Sequence, residues 1–201
     1  MSLLIGGCSA PDKPSIALYL AVQRGDLDQL ERHIYWKTDI NAVLPNGQHP
    51  LQVAAAKGRI IMVKTLLKHG AEIDSRSADD ESALDLAILN GRTQVAELLI
   101  SEGATMDASA LLVKAALIGV TDRDTARFLV ERGADTEHRD DNGDTALLIA
   151  IRQDNHRLAT HLVNLGADVN TQTRDGQSAL AVAKALDLGE LVSLLERQGA
   201  I

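Results

Sequence analysis

Residues 141–171 read DNGDTALLIAIRQDNHRLATHLVNLGADVNT, and they contain one complete copy of the structural unit that the chain repeats. It opens with Asn142-Gly143, a turn pair that accepts positive φ. Thr145 can then cap a helix, because its hydroxyl accepts from the unpaired N–H groups of the first turn. Two groups of apolar residues at three-to-four spacing follow, separated by the polar residues 153–155. The second group stops at Gly166, which suits the left-handed position past a helix end. The stretch predicts two short helices joined by a polar turn.

Copies of this helix pair recur along the whole chain. Gly-Ala pairs are spaced by 33 residues in three of four steps and by 30 in the other; they fall at 70–71, 103–104, 133–134, 166–167 and 199–200. One alanine of the first helix recurs in the same way, as Ala21, Ala54, Ala87, Ala115, Ala150 and Ala183. A helix pair of this size cannot bury both apolar faces alone, so neighbouring copies must supply the missing surface.

A 33-residue period of helix, turn, helix and hairpin finger is typical of ankyrin repeats, and the chain resembles that family from about Ser15 to Ile201. The family signature T-P-L-H-x-A has counterparts in HPLQVA (49–54), SALDLA (82–87), TALLIA (145–150) and SALAVA (178–183), with weaker forms IALYLA (16–21) and ALLVKA (110–115). The resemblance implies an all-α repeat solenoid, a stack of about six helix-turn-helix units with short β-hairpin fingers. It also implies a non-enzymatic scaffold that binds a protein partner through its concave face and finger tips.

Composition narrows the class of partner. Hydrophobic residues make up 45% of the chain but aromatic residues only 2%, so the core consists of Ala, Leu, Val and Ile. The net charge of −8 disfavours binding to nucleic acid, which depends on neutralising phosphates with Lys and Arg. It equally disfavours an anionic membrane surface. No apolar run approaches the roughly 18–20 residues that cross a bilayer, so we expect no transmembrane span.

Residues 1–14 belong to no repeat, and two interpretations of them stay open. Leu3 to Cys8 resembles the lipobox of bacterial lipoproteins, in which small residues precede a cysteine that becomes lipidated. A functional signal needs a basic start and about 7–15 apolar residues, and neither is complete before Cys8. The segment is therefore either the remnant of a lipoprotein signal with a polar tether or a disordered tail. The first predicts a lipid anchor at Cys8 in the bacterial periplasm or outer membrane, and the second a cytoplasmic protein.

We predict an ankyrin repeat domain over residues 15–201, divided approximately into 15–43, 44–77, 78–107, 108–140, 141–173 and 174–201. The fourth repeat departs most from the pattern, because Gly91 and Gly119 are 28 residues apart, five short of the period. The finger before this repeat is accordingly shorter and leaves a notch in the row of tips. The repeat also carries Leu117 and Ile118 where the others mostly show polar residues.

Residues that could carry chemistry form no recognisable site. The sequence has no Ser-His-Asp order, Cys-His pair or glycine-rich phosphate loop. His156 and His161 are five apart, off the spacing that places two metal ligands on one helical face. Carboxylates that would suit calcium fall on different fingers, so we interpret them as solvated turn residues. We therefore expect no catalytic residue, no cofactor and no metal ion.

The resemblance places partner recognition at the finger tips and at the exposed end of each first helix. Six residues are predicted to bind the partner: Lys57, Asn90, Leu117, Ile118, Arg152 and Gln153. An apolar centre with a polar rim is how protein interfaces are commonly arranged. We expect a monomeric scaffold whose partner is a protein. The alternative is an envelope-anchored bacterial lipoprotein that protects or inhibits a periplasmic enzyme.

Overall fold

The structure is a computed structural model that describes residues 10–120 and 122–201, so Cys8 and its proposed lipid anchor lie outside the described residues. The chain divides into two compact units, unit 1 up to residue 104 and unit 2 from residue 105 to residue 201. Within the described residues each unit contains three helix pairs. We call the odd-numbered helix of each pair the first helix and the even-numbered helix the second.

The helices are short and alternate regularly with turns. Unit 1 contains α1 (Leu18–Arg24), α2 (Leu27–Tyr35), α3 (Pro50–Ala56), α4 (Ile60–Lys68), α5 (Ala83–Leu89) and α6 (Thr93–Ser101). Unit 2 contains α7 (Ala108–Leu117), α8 (Arg123–Glu131), α9 (Ala146–Arg152), α10 (His156–Asn164), α11 (Ala179–Ala185) and α12 (Gly189–Arg197). Most first helices have only seven residues, so neighbouring helices must stabilise them.

Side-chain caps start several of the first helices at the signature residue. Ser82, Thr145 and Ser178 each accept a hydrogen bond from the backbone N–H three residues on, which satisfies a donor that the helix leaves unpaired. Gly166 has a φ of 98° and follows the last turn of α10, as the sequence predicts. The local sequence signals therefore set where these helices begin and end.

The recurring alanine of each first helix lies between neighbouring helices. All six of these alanines are at most 2% exposed: Ala21, Ala54, Ala87, Ala115, Ala150 and Ala183. In unit 1 α3 packs between α1 and α5, and in unit 2 α9 packs between α7 and α11. An alanine at this position lets the helix backbones approach closely, because its side chain is a single methyl group. The core therefore runs along each unit as a continuous row.

The fingers are turns closed by one repeated backbone hydrogen bond. Their tips span residues 44–48, 77–81, 140–144 and 173–177, and in each the first N–H donates to the last carbonyl over 2.8–3.0 Å. Among the described residues the pairing consists of isolated bridges rather than extended strands, because each tip closes after five residues. Before α7 the chain passes directly to the helix cap Asp107. The notch predicted from the sequence would be formed by fingers that belong to both units, and it stays a prediction.

Trp36 connects the start of the described chain to the first helix pair. Its Nε1 donates to the carbonyl oxygens of Pro11 and Asp12 over 3.2 and 3.3 Å. The ammonium of Lys13 lies 5.5 Å from the centre of the Trp36 ring. The segment before α1 is therefore held against the end of α2.

Ala150→Leu tests the packing of the alanine row. Ala150 is fully buried between neighbouring first helices, so the larger side chain should cost about 1–3 kcal/mol of unfolding free energy. The matched control is Ala181→Leu, which changes an exposed alanine of α11 and should stay within about 0.5 kcal/mol of the wild type. Urea unfolding of both variants checks the prediction, and equal losses would show that the buried helix face is wrongly assigned.

Asp122 caps α8 with both carboxylate oxygens. It accepts from the N–H groups of Asp124 and Thr125 over 3.2 and 3.0 Å, and from the Thr125 hydroxyl over 2.8 Å. Burial alone raises the pKa of Asp122, but these hydrogen bonds and the nearby His161 outweigh it and lower the pKa below its usual value. The ionised carboxylate is therefore the form that stabilises the fold.

Asp122→Asn should lower the unfolding free energy at pH 7. Because the folded-state pKa is depressed, the ionised group contributes its stability above the unfolded value of 3.8 and loses it as the pH falls through the folded value. The difference between variant and wild type should therefore shrink below about pH 4. Urea unfolding at several pH values measures this, with exposed Asp175→Asn as the control. A difference that is constant with pH would contradict the assignment.

Candidate protein-binding site

The six residues predicted to bind a partner all lie at the carboxyl ends of first helices. Lys57, Asn90, Ile118 and Gln153 are the residues that end α3, α5, α7 and α9. Leu117 and Arg152 are the last helical residues before two of these caps. The shared position follows from the buried alanine, because residues two or three places after it reach the exposed end of the helix.

The structure divides these six residues between the two units. Lys57 and Asn90 belong to unit 1, where both are exposed. Asn90 Nδ2 donates to the Leu86 carbonyl over 2.8 Å, so this amide is partly used by its own helix. Arg92 Nε donates to the Ala56 carbonyl over 3.3 Å and joins the start of α6 to the end of α3.

Unit 2 carries exposed apolar side chains at these helix ends. Leu117 is 48% exposed and Ile118 is 57% exposed. Leu186 ends α11 at the equivalent place and is 48% exposed. Leu186 is not among the residues predicted from the sequence, although it follows the buried Ala183 by the same three positions that separate Ile118 from Ala115. We call Leu117, Ile118, Arg152, Gln153 and Leu186 together the end row.

The polar centre of the end row is held in place by hydrogen bonds. Gln153 Nε2 donates to the Leu117 carbonyl over 2.9 Å, which joins the ends of α9 and α7. Arg152 Nε lies 2.9 Å from Asp144 Oδ2, and its Nη2 donates to Oδ1 of the same carboxylate over 3.5 Å. Asp144 belongs to the finger tip at 140–144 and is nearly buried. The end row therefore lies beside a finger tip, with its arginine oriented by that finger.

The finger tips of unit 2 are themselves joined by one arginine. Arg139 Nη1 donates to the carbonyls of Gly143 and Gln172 over 2.6 and 2.7 Å. Gly143 has a φ of 85°, and a side chain here would press on Arg174 at 3.3 Å. The tips beside the end row therefore form a supported surface rather than separate loops.

The side chains of the end row are suited to binding another molecule. The end row presents apolar side chains, one guanidinium and one amide. Among residues 10–120 and 122–201, no group of three or more His, Cys, Asp or Glu side chains is placed to hold a metal ion. Within the same part of the chain, no helix is long and apolar enough to span a membrane.

A family model described as ankyrin repeats (3 copies) matches residues 18–110 and 112–200. The chain belongs to the ankyrin repeat family. The predicted fold class, an all-α repeat solenoid of ankyrin units, is thereby confirmed. Ankyrin repeats are in general modules that bind other proteins.

Three comparisons place this ankyrin repeat protein among known proteins. It is 30% identical over 187 residues to an L-asparaginase of Dirofilaria immitis, covering 92% of this chain and 32% of that protein. The chain thus spans about a third of that relative's length. It matches a chain in the complex of the Bd0816 predatory endopeptidase of Bdellovibrio bacteriovorus with immunity protein Bd3460, at 28% identity and a TM-score of 0.73, covering 92% of this chain and 99% of that one. It also matches the Bcl-3 ankyrin repeat domain, at 25% identity and a TM-score of 0.74, covering 94% and 89% of the two chains.

Proposed function

We propose that this ankyrin repeat protein is a non-enzymatic scaffold that binds a protein partner through the end row and the finger tips beside it. The observation that carries the proposal is the exposure of Leu117, Ile118 and Leu186 at the helix ends of one unit. Exposed apolar side chains mark interaction sites on soluble proteins, and here they lie on both sides of the polar pair Arg152 and Gln153 rather than within a polar rim. Lys57 and Asn90 are proposed as additional partner contacts in unit 1.

The apolar residues of the end row would supply most of the binding energy. Burying a leucine or isoleucine side chain completely is worth about 1.5–3 kcal/mol, and these side chains have roughly half of that still to gain. Arg152 is oriented by Asp144 before the partner arrives, so less conformational freedom is lost when it forms an interface contact. Gln153 can add a hydrogen bond through its amide oxygen, since its Nε2 already donates to Leu117.

The double change Leu117→Asp with Ile118→Asp tests the proposal. Immobilised wild-type chain should retain a protein from native lysate, and the double variant should lose most of that retention because the buried contact would then contain two carboxylates. The matched control is Val43→Asp with Ile61→Asp, which changes two apolar side chains of unit 1 that are each 65% exposed. The control should retain the partner. Equal retention by both double variants would contradict the end row as the site, provided that circular dichroism shows both to be folded.

A second candidate function is favoured by the similarity to a chain in the endopeptidase–immunity protein complex. Under this proposal the partner is an enzyme that the ankyrin surface protects or inhibits, and Cys8 anchors the protein to a bacterial envelope. The same capture separates the candidates. A captured enzyme whose activity falls as the chain is added up to one equivalent supports this second function, and a captured protein without enzymatic activity excludes it.

A further inference from the structure

A cleft of about 330 Å³ lies between two second helices of unit 2, on helices that do not form the end row. Its residues come from α8 on one side and from α10 and its cap on the other: Arg123, Arg127, Thr160, His161, Asn164 and Leu165. Arg123 and Arg127 are four residues apart, so their side chains lie on the same face of α8. Two guanidinium groups therefore form one wall of the cleft.

The donors of this cleft are not used by the fold. Across the described ranges 10–120 and 122–201, neither Arg123 nor Arg127 has a carboxylate oxygen within 4.0 Å or a hydrogen bond from its side chain. The side chains of His161 and Asn164 likewise form no hydrogen bond within those ranges. Arg32, Arg76 and Arg152 differ, because each pairs with an aspartate at 2.8–2.9 Å.

Asp122, which precedes Arg123 in the chain, is occupied elsewhere. Asp122 lies close enough to His161 to feel its charge, but its carboxylate already accepts three hydrogen bonds at the start of α8. It caps the helix and leaves the two guanidinium groups of the wall available. An anion that enters the cleft therefore meets Arg123 and Arg127 without displacing a partner.

The distance between Arg123 and Arg127 along α8 suits an anion with two separated negative groups. Side chains four residues apart on a helix are about 5–6 Å apart at Cβ. In an extended peptide, side chains on the same face are two residues apart and about 6.6 Å from each other. Guanidinium groups bind carboxylates through paired, charge-assisted hydrogen bonds. The geometry points to an extended acidic peptide segment of a partner protein, with carboxylates at alternate positions, as the ligand of this cleft.

The opposite wall of the cleft offers hydrogen-bond donors and acceptors to the peptide backbone. The Asn164 amide can both donate to a carbonyl and accept from an N–H. The Thr160 hydroxyl donates to the His156 carbonyl over 2.8 Å, so its oxygen remains available to accept a peptide N–H. Leu165 adds an apolar contact at one end. This acidic-peptide site is separate from the end row, and it can be tested whether or not the end row binds a partner.

The binding of a fluorescein-labelled peptide Gly-Glu-Ser-Glu-Ser-Gly to the full chain tests the inference by fluorescence anisotropy at low, fixed ionic strength. Arg123→Ala combined with Arg127→Ala should weaken binding about tenfold or more, because both carboxylate contacts are lost. The control combines Lys64→Ala with Arg197→Ala, which changes the net charge equally at exposed positions of α4 and α12 outside the cleft and should alter affinity less than about twofold. The peptide Gly-Gln-Ser-Gln-Ser-Gly should not bind.

A second measurement on the unmodified chain does not depend on how the variants fold. The Nε–Hε resonances of Arg123 and Arg127 should shift when the acidic peptide is added, and that of Arg197 should stay in place. Equal weakening by the two double variants would overturn the inference, as would arginine resonances that do not move. If inorganic phosphate shifts the same resonances at lower concentration than the peptide, the cleft is a phosphate site and the acidic-peptide inference fails.

Discussion

The structure depends on close packing between first helices that are too short to be stable alone. A helix of seven residues is well below the length at which isolated helices persist in water. Each therefore needs neighbours along the repeat, and the buried alanine sets how closely they approach. In unit 2 the fully buried Ala150 lies at this contact, between α7 and α11. The energy of the fold resides in interfaces between repeats rather than in one central core.

The same packing places the surface proposed for recognition. Once Ala115, Ala150 and Ala183 face the neighbouring helices, the residues three positions later must lie at the exposed helix ends. Unit 2 has Ile118 and Leu186 at two of these positions and Gln153 between them. The buried alanines thus pack in the same way in each repeat, while the exposed residues at the helix ends differ. These exposed residues can vary because the packing of the helices depends on the alanines. This separation of roles explains how a binding face can differ between repeats that share one fold.

Much of this could be predicted from the sequence, because it depends on residues close together in the chain. The cap at Thr145, the left-handed Gly166 and the period of the alanines all follow local rules. Leu186 could also have been predicted, since it follows Ala183 by the same three positions that separate Ile118 from Ala115. The ion pair between Arg152 and Asp144, and the joining of Gln153 to Leu117, could not be predicted, because they depend on how a finger and a neighbouring helix end pack. The cleft could not be predicted either, because it forms only where two separate helices, α8 and α10, pack side by side.

We propose that the apolar part of the end row holds a protein partner while Arg152 guides its approach. Association and dissociation rates of the captured partner, measured at low and at moderate salt, test this most directly. Arg152→Gln should slow association mainly at low salt, because the effect of an exposed charge is screened by ions. Leu117→Ala should leave association nearly unchanged and speed dissociation several-fold, since it removes buried contact area. If both changes alter only the association rate, the apolar residues do not anchor the partner and the account is wrong.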